Sequence, residues 1–283
     1  MLICDEVHQA LSDATMAFIE RLDAPIKIGC SGTLPRDKFN RWKILGMFSK
    51  IVCIEDITDL QKRGFISKLK ITLLKIFDKT VDADRNLLFN LNTNRKYCPD
   101  ENGYSEIAFD DANKAEHEYF AKYYKELYKP VLEHISKLQG NTLILFDKLD
   151  IGKSLFNYFI ELYKDKNAFY TDGSTNVTIR ENIRKYLEAK NNNFLFANVQ
   201  IMSTGININK LNTVVFCFSS KSTVRIIQSV GRILRLHAEK DYAHLIDCVF
   251  NTKYSVKHFK ERCKLYKDFY NKKDFDVIEK FTI

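Results

Sequence analysis

Short apolar runs alternate along the chain with longer stretches of helical period, the pattern of an α/β protein built on a parallel sheet. The runs Leu2–Cys4, Ile26–Cys30, Ile51–Ile54, Leu69–Ile76, Thr142–Phe146, Phe194–Ala197, Thr213–Phe218 and Ala243–Asp247 are strand-sized and predict strands. A helix is predicted over 178–190, where Thr178 and Glu181 have capping-box spacing and Ile179, Ile183 and Leu187 share a face. Others are predicted over 114–138, over Leu155–Tyr163 and over 253–273. The last places Val256, Phe259, Cys263, Tyr266 and Tyr270 on one face among lysines, a packing helix with a basic side. Residues 78–113, rich in Asp and Asn and weakly periodic, read as an irregular insertion.

Composition narrows the class. With 45% apolar and 13% aromatic residues the chain can bury a large core, which excludes disorder. The longest apolar runs, such as Val214–Phe218, fall far short of the roughly 18 residues of a membrane span. The start, Met1-Leu2-Ile3-Cys4-Asp5, meets a carboxylate too early for a signal peptide. Seven scattered cysteines without a C-x-x-C pair suit reduced core thiols in a cytoplasm, with Cys4, Cys30 and Cys217 inside apolar runs. His117, His134, His237, His244 and His258 show no metal-like pairing. The net charge of +8 is unevenly spread: residues 1–60 carry 7 basic and 9 acidic side chains, the remainder 37 and 27. The basic excess belongs to the later part, where contact with a polyanion is expected.

Four short motifs carry candidate chemistry. Asp5-Glu6-Val7-His8 ends the first strand in two carboxylates, at the edge where parallel sheets bind ligands. One can hold Mg²⁺ through water and the next can activate water for phosphoanhydride hydrolysis. Ser31-Gly32-Thr33 follows the second run, and Ser203-Thr204-Gly205-Ile206-Asn207 offers backbone N–H groups to phosphates. Each of these three alone reads as an ordinary turn or loop. Gln228-Ser229-Val230-Gly231-Arg232-Ile233-Leu234-Arg235 says more: Gln228, Arg232 and Arg235 fall on one helical face opposite Ile227, Val230 and Leu234. Gly231 costs a helix about 1 kcal/mol relative to Ala, which suggests close approach of another group. Two guanidiniums three apart can clamp a γ-phosphate.

In order and spacing, D-E-x-H, S-G-T, S-T-G and Q-x-x-G-R-x-x-R resemble motifs II, III, V and VI of superfamily 2 helicases, with Leu143–Phe146 as the motif IV strand. Gly46-Met47-Phe48-Ser49, the S-T-G-I run and Q-S-V-G-R-I-L-R are similar to UvsW-type recombination helicases of tailed phages, most closely over 1–55 and 140–250. The resemblance implies RecA-like parallel sheets flanked by helices, with one complete domain at 67–283 and the C-terminal part of a preceding one at 1–66. It implies ATP and Mg²⁺ as cofactors. Asp5 would coordinate Mg²⁺ through water, Glu6 would activate water, and His8 would couple the nucleotide site to Gln228. Ser31 and Thr33 would link hydrolysis to domain motion. Arg232 and Arg235 would be arginine fingers. Ser203 and Thr204 would touch the nucleic-acid backbone, with Gly205 near the nucleotide.

Such motors hold phosphates in a P-loop, G-x-x-x-x-G-K-[ST], ahead of D-E-x-H, and only four residues precede Asp5. Gly152-Lys153-Ser154 mimics the end of that loop, but Asp147 stands at its first glycine. The triplet reads instead as a turn into the helix Leu155–Tyr163, with Lys153 near DNA phosphate. The expectation is therefore part of an ATP-dependent helicase acting on branched or single-stranded DNA in recombination, repair or replication. An N-terminal segment or a separate chain would carry the P-loop, and the setting would be the cytoplasm, the host's if the chain is phage-encoded, without membrane contact. The alternatives are an inactive nucleic-acid- or partner-binding module, or the motor part of a restriction-type translocase.

Overall fold

A computed structural model describes residues 1–32, 34–35, 37–52, 57–77, 116–201, 208–218, 222–238, 240–270 and 276–282. Its contacts divide the chain into two compact units, Met1–Asp59 and Leu60–Ile283.

In the first unit, β1 (Leu2–Cys4) and β2 (Lys27–Gly29) run parallel, with Ile3 opposite Ile28. Two helices follow the strands, α1 (Asp13–Arg21) and α2 (Lys38–Phe48). Each starts on a side-chain cap: Ser12 Oγ accepts from the Thr15 N–H, and an Asp37 carboxylate oxygen accepts from the Asn40 N–H. Ala10, Ile19 and Met47 form a small core with Leu2, Cys4, Met16 and Phe48 around it. Cys30 is exposed, against its expected burial. Ile51 and Val52 are not strand residues, and the rest of that run lies outside the described residues. A short helix, α3 (Ile57–Lys62), spans the division between the units.

The second unit is one seven-stranded parallel sheet. Its strands are β3 (Lys68–Phe77), β4 (Asn141–Phe146), β5 (Asn167–Thr171), β6 (Asn193–Asn198), β7 (Leu211–Phe216), β8 (Tyr242–Phe250) and β9 (Asp276–Thr282), in the order β5-β6-β4-β7-β8-β3-β9. The helices are α4 (Tyr124–Ser136), α5 (Leu149–Leu162), α6 (Val177–Ala189), α7 (Thr223–Ile233) and α8 (Lys253–Tyr270); residues 116–122 are helical too. Every residue of β4 and β6 is buried, as expected of parallel strands covered on both faces. Leu127, Val131 and Ile135 of α4 and Leu155 and Phe159 of α5 pack with Ile144, Phe146 and Phe196. No described helix is long and apolar enough to cross a membrane.

Several expectations change here. β5 and β9 went unread because sheet-edge strands mix polar and apolar positions. The helix expected over 114–138 is interrupted at Tyr123, and 78–113 lies outside the described residues. Asn176, not Thr178, caps α6: its side chain accepts from the Thr178 N–H, while Glu181 pairs with Arg184 at 2.7 Å. Gly152, Lys153 and Ser154 lie inside α5, not in a turn before it. On α8 the buried face is rotated, carrying Arg262, Leu265, Tyr266 and Tyr270, while Val256, Phe259 and Cys263 are half-buried.

The rotation has an electrostatic cause. Arg262 is fully buried and grips Asp247 of β8 with two nitrogens, Nε to Oδ2 at 2.9 Å and Nη2 to Oδ1 at 2.8 Å. The Tyr266 hydroxyl donates to Asp247 Oδ2 at 2.6 Å. An ion pair without water is costly to break one partner at a time. Arg262→Met should therefore lower the unfolding free energy by about 3–5 kcal/mol in urea titrations, and adding Asp247→Leu should recover most of that loss.

Candidate functional site

In the first unit the two carboxylates stand at the carboxyl end of β1. Asp5 is exposed, and its Oδ1 accepts the Glu6 N–H at 2.9 Å. Glu6 adopts a left-handed conformation (φ 50°, ψ 47°), a strained position for a non-glycine residue. The turn is held by the Val7 N–H donating to the Cys30 carbonyl at 3.0 Å, with Val7 packed where a Cβ on Gly29 would come within 3.1 Å. His8 is nearly buried, its Nδ1 lying 2.7 Å from Ser31 Oγ and 3.1 Å from Glu6 Oε2. The D-E-x-H and S-G-T motifs therefore meet: Glu6, His8 and Ser31 are in direct contact. The carboxylate favours the Nδ1–H tautomer, which leaves Nε2 as a buried acceptor with no hydrogen-bond partner among the described residues. Thr33 lies outside the described residues.

In the second unit Gln228 and Arg232 are half-buried on α7. The helix ends at Ile233 with Leu234 as its cap, so Arg235 is not helical, against the single-face expectation. Burial, and then the Arg235 charge, push the Arg232 guanidinium below its usual pKa. Gly231 is exposed, and a Cβ there would meet no atom of this chain within 4 Å; the expected close approach is not made by this chain's own described atoms.

Lys240 holds this helix end, and nothing in the motif announces it. Its buried ammonium donates to the carbonyls of Ile233 at 2.6 Å, Leu211 at 3.2 Å and Arg235. The cation sits at the negative end of the helix dipole and ties it to the start of β7. Ser67, just ahead of β3, adds two bonds: its N–H donates to the Leu234 carbonyl at 2.7 Å and its Oγ to the Arg235 carbonyl at 3.2 Å. Arg235 Nη1 reaches Asn209 Oδ1 at 3.5 Å, ahead of β7. The arginine pair is thus anchored at the amino-terminal edge of the sheet.

The carboxyl-terminal edge carries Lys153, exposed on the second turn of α5. Gly152 is there for packing: a Cβ would sit 2.3 Å from the Phe146 ring, and its N–H bonds the Lys148 carbonyl as an ordinary helical residue. The triplet is no phosphate loop. Ser203, Thr204 and Gly205 lie outside the described residues.

Residues 126–237 match the helicase conserved C-terminal domain. The chain is 24% identical to the ATP-dependent DNA helicase uvsW of Enterobacteria phage T4, across 95% of this chain and 52% of that protein. The crystal structure of T4 UvsW superposes with a TM-score of 0.51 at 22% identity, covering 100% of this chain and 53% of that one. The ATP-dependent restriction-modification enzyme LlaBIII bound to DNA gives a TM-score of 0.57 at 15% identity, covering 99% and 21%. The fold is RecA-like, and the chain spans about half the length of the curated relatives it matches.

Lys240 makes the site sensitive to pH. Burial brings its pKa from 10.5 down to about 8, while the three carbonyls favour the charged donor. Between those values the folded chain holds fewer protons than the unfolded chain, so this residue makes stability rise with pH. Urea unfolding at points between about pH 8 and pH 10.5 should show the wild type gaining on Lys240→Met by up to about 1.4 kcal/mol per pH unit. A constant difference would contradict the burial.

Proposed function

We infer that this chain, a superfamily 2 helicase relative with a helicase conserved C-terminal domain, is part of an ATP-driven motor acting on DNA. The carrying observation is the arginine pair. Arg232 sits in the last turn of a helix whose end Lys240 and Ser67 hold in place, Arg235 follows three positions on, and two such guanidiniums suit a polyphosphate whose charge grows as it is cleaved. Arg232 and Arg235 act on the terminal phosphate, and Gln228 on the same α7 contributes a polar contact. Lys240 and Ser67 position the pair.

The residues of the first unit suit the other half of the chemistry. Asp5 keeps Oδ2 for the water shell of Mg²⁺, which binds through few carboxylates and usually retains several waters. When bound, Mg²⁺ and ATP supply the phosphoanhydride and neutralise its charge. Glu6 accepts a proton from water, and His8, touching both Glu6 and Ser31, fixes that carboxylate and passes its state to the S-G-T turn. By the motif resemblance Ser203 and Thr204, with Lys153, would contact the nucleic-acid backbone, Gly205 would serve the nucleotide, and Thr33 would act with Ser31. On this reading residues 1–66 are the C-terminal part of a first RecA-like domain and 67–283 a second.

The 283 residues contain no G-x-x-x-x-G-K-[ST] sequence, so the phosphate loop comes from a segment or chain outside them. The first unit is shaped to receive it. One face of β1–β2 is covered by α1 and α2; the other presents Ile3 and Ile28, paired across the strands and 58% and 43% exposed. Further strands of the P-loop segment would pair at the edges of this two-stranded sheet, and its helices would cover that face. Branched or single-stranded DNA in recombination, repair or replication is the substrate this reading favours, in the host cytoplasm if the chain is phage-encoded. The likeness to LlaBIII supports a second reading, a translocase on duplex DNA, which strand displacement on forked substrates separates from the first.

The test joins this chain to a P-loop-bearing segment and measures ATP hydrolysis with and without DNA. DNA-stimulated turnover should appear, and Arg235→Ala should lower it by about 10³-fold. The isolated chain should hydrolyse little ATP. Turnover undiminished by Arg235→Ala, or helicase-like rates from the chain alone, would overturn the mechanism; DNA binding without hydrolysis in any combination would identify a binding module.

A further inference from the structure

A second concavity lies at the carboxyl-terminal edge of the large sheet, away from the arginine pair. It is a cavity of about 330 Å³ where β4, β7 and β8 end, closed by residues 116–122 and by α8. That is the size of a small-molecule site, at the sheet edge where parallel α/β folds take ligands.

Its walls are specific. Phe120, Tyr128 and Phe250 form one rigid side, the Phe250 ring lying 5.0 Å from Phe120 edge-on and 4.9 Å from Tyr128. Phe218 and Tyr254 add further rings, and Asp147 with His258 supplies polar atoms. The place where an anion would be expected, the N-terminus of α8, is already taken. Glu116 Oε2 accepts the Tyr254 N–H at 3.2 Å, Oε1 accepts the Ser255 N–H at 3.2 Å, and the Thr252 hydroxyl donates to Oε1 at 2.5 Å. A phosphate would meet this carboxylate and Asp147, as well as Lys148 and His117, which also line the cavity. Nor is there a cation site: among the described residues no group of three His, Cys, Asp or Glu could hold a metal. What fits is a flat group with apolar faces and a hydrogen-bonding rim.

We propose that this cavity is a nucleobase pocket, taking one base turned out of a single DNA strand whose phosphates pass Lys153 on the same edge. The ring atoms that border the cavity supply apolar contact, each ring being more than nine-tenths buried, and Asp147 meets an exocyclic amino or ring N–H group. Burial pushes the Asp147 carboxyl above its usual pKa range. Stacking tolerates any base. A pocket that holds one base on the moving domain would give a motor a grip on the strand beyond phosphate contacts.

The inference rests on the DNA-binding reading, and one titration separates the two. The whole chain is titrated with short single-stranded oligodeoxyadenylates carrying 2-aminopurine at successive positions, with an abasic residue at the same positions in a parallel series. Binding should change 2-aminopurine emission at one register, and the abasic substitution there should weaken affinity about ten-fold. Asp147→Leu and His258→Leu should abolish the emission change while keeping salt-dependent binding, with thermal melting to show that each variant folds. DNA binding with no emission change at any position overturns the pocket and leaves the DNA reading standing. Absence of DNA binding overturns the DNA reading itself, and the pocket with it.

Discussion

A parallel sheet buried on both faces has no side left for chemistry; only the two rows of strand ends remain. In the large unit β4 and β6 are buried throughout, with helices on either side. Whatever this unit binds must therefore be met by residues at the start or the finish of its strands. Both rows are equipped. At the amino ends sit Ser67, Asn209, Lys240 and the Arg232–Arg235 pair; at the carboxyl ends sit Asp147, Lys153 and the aromatic cavity. α7 crosses the sheet between the rows, so it is the structural link between them.

Holding like charges together at one row requires a fixed frame. Lys240 provides it by placing a third cation on the carbonyls at the end of their helix, where the helix dipole and three carbonyl oxygens offset part of its desolvation. Arg262 and Asp247 do the corresponding work for α8, locking it on β8 so that Tyr254 and His258 are presented to the cavity from a rigid support. Buried charge in this protein thus serves position more than stability.

Central strands were legible because burial on both faces demands continuous apolar runs; β5 and β9, at the sheet's edges, mix polar and apolar residues and were not. Motif chemistry was partly legible. Asp5, Glu6, His8 and Ser31 do assemble at the end of β1, but no residue pattern shows that Glu6 must turn left-handed to bring them together. Arg235 was read as helical because its spacing is right, whereas Lys240 ends the helix before it. Lys240 and Glu116 were invisible, being single polar residues whose partners are backbone groups far along the chain. Asp247 left a trace, a charge inside an apolar strand, but Arg262 was hidden among the tail's many cations. Thr33, Ser203, Thr204 and Gly205 fall outside the described residues.

The central claim is that the two rows have separate duties, phosphate hydrolysis at the amino ends and nucleic-acid contact at the carboxyl ends. The most direct measurement is single-stranded DNA affinity as a function of salt for the wild type, Lys153→Ala, and the double variant Arg232→Ala/Arg235→Ala, without nucleotide. The account predicts that Lys153→Ala weakens binding and lowers the salt slope by about one, while the double variant binds as the wild type does. If the arginine pair carries the salt-dependent affinity and Lys153 does not, the assignment of the two rows is wrong.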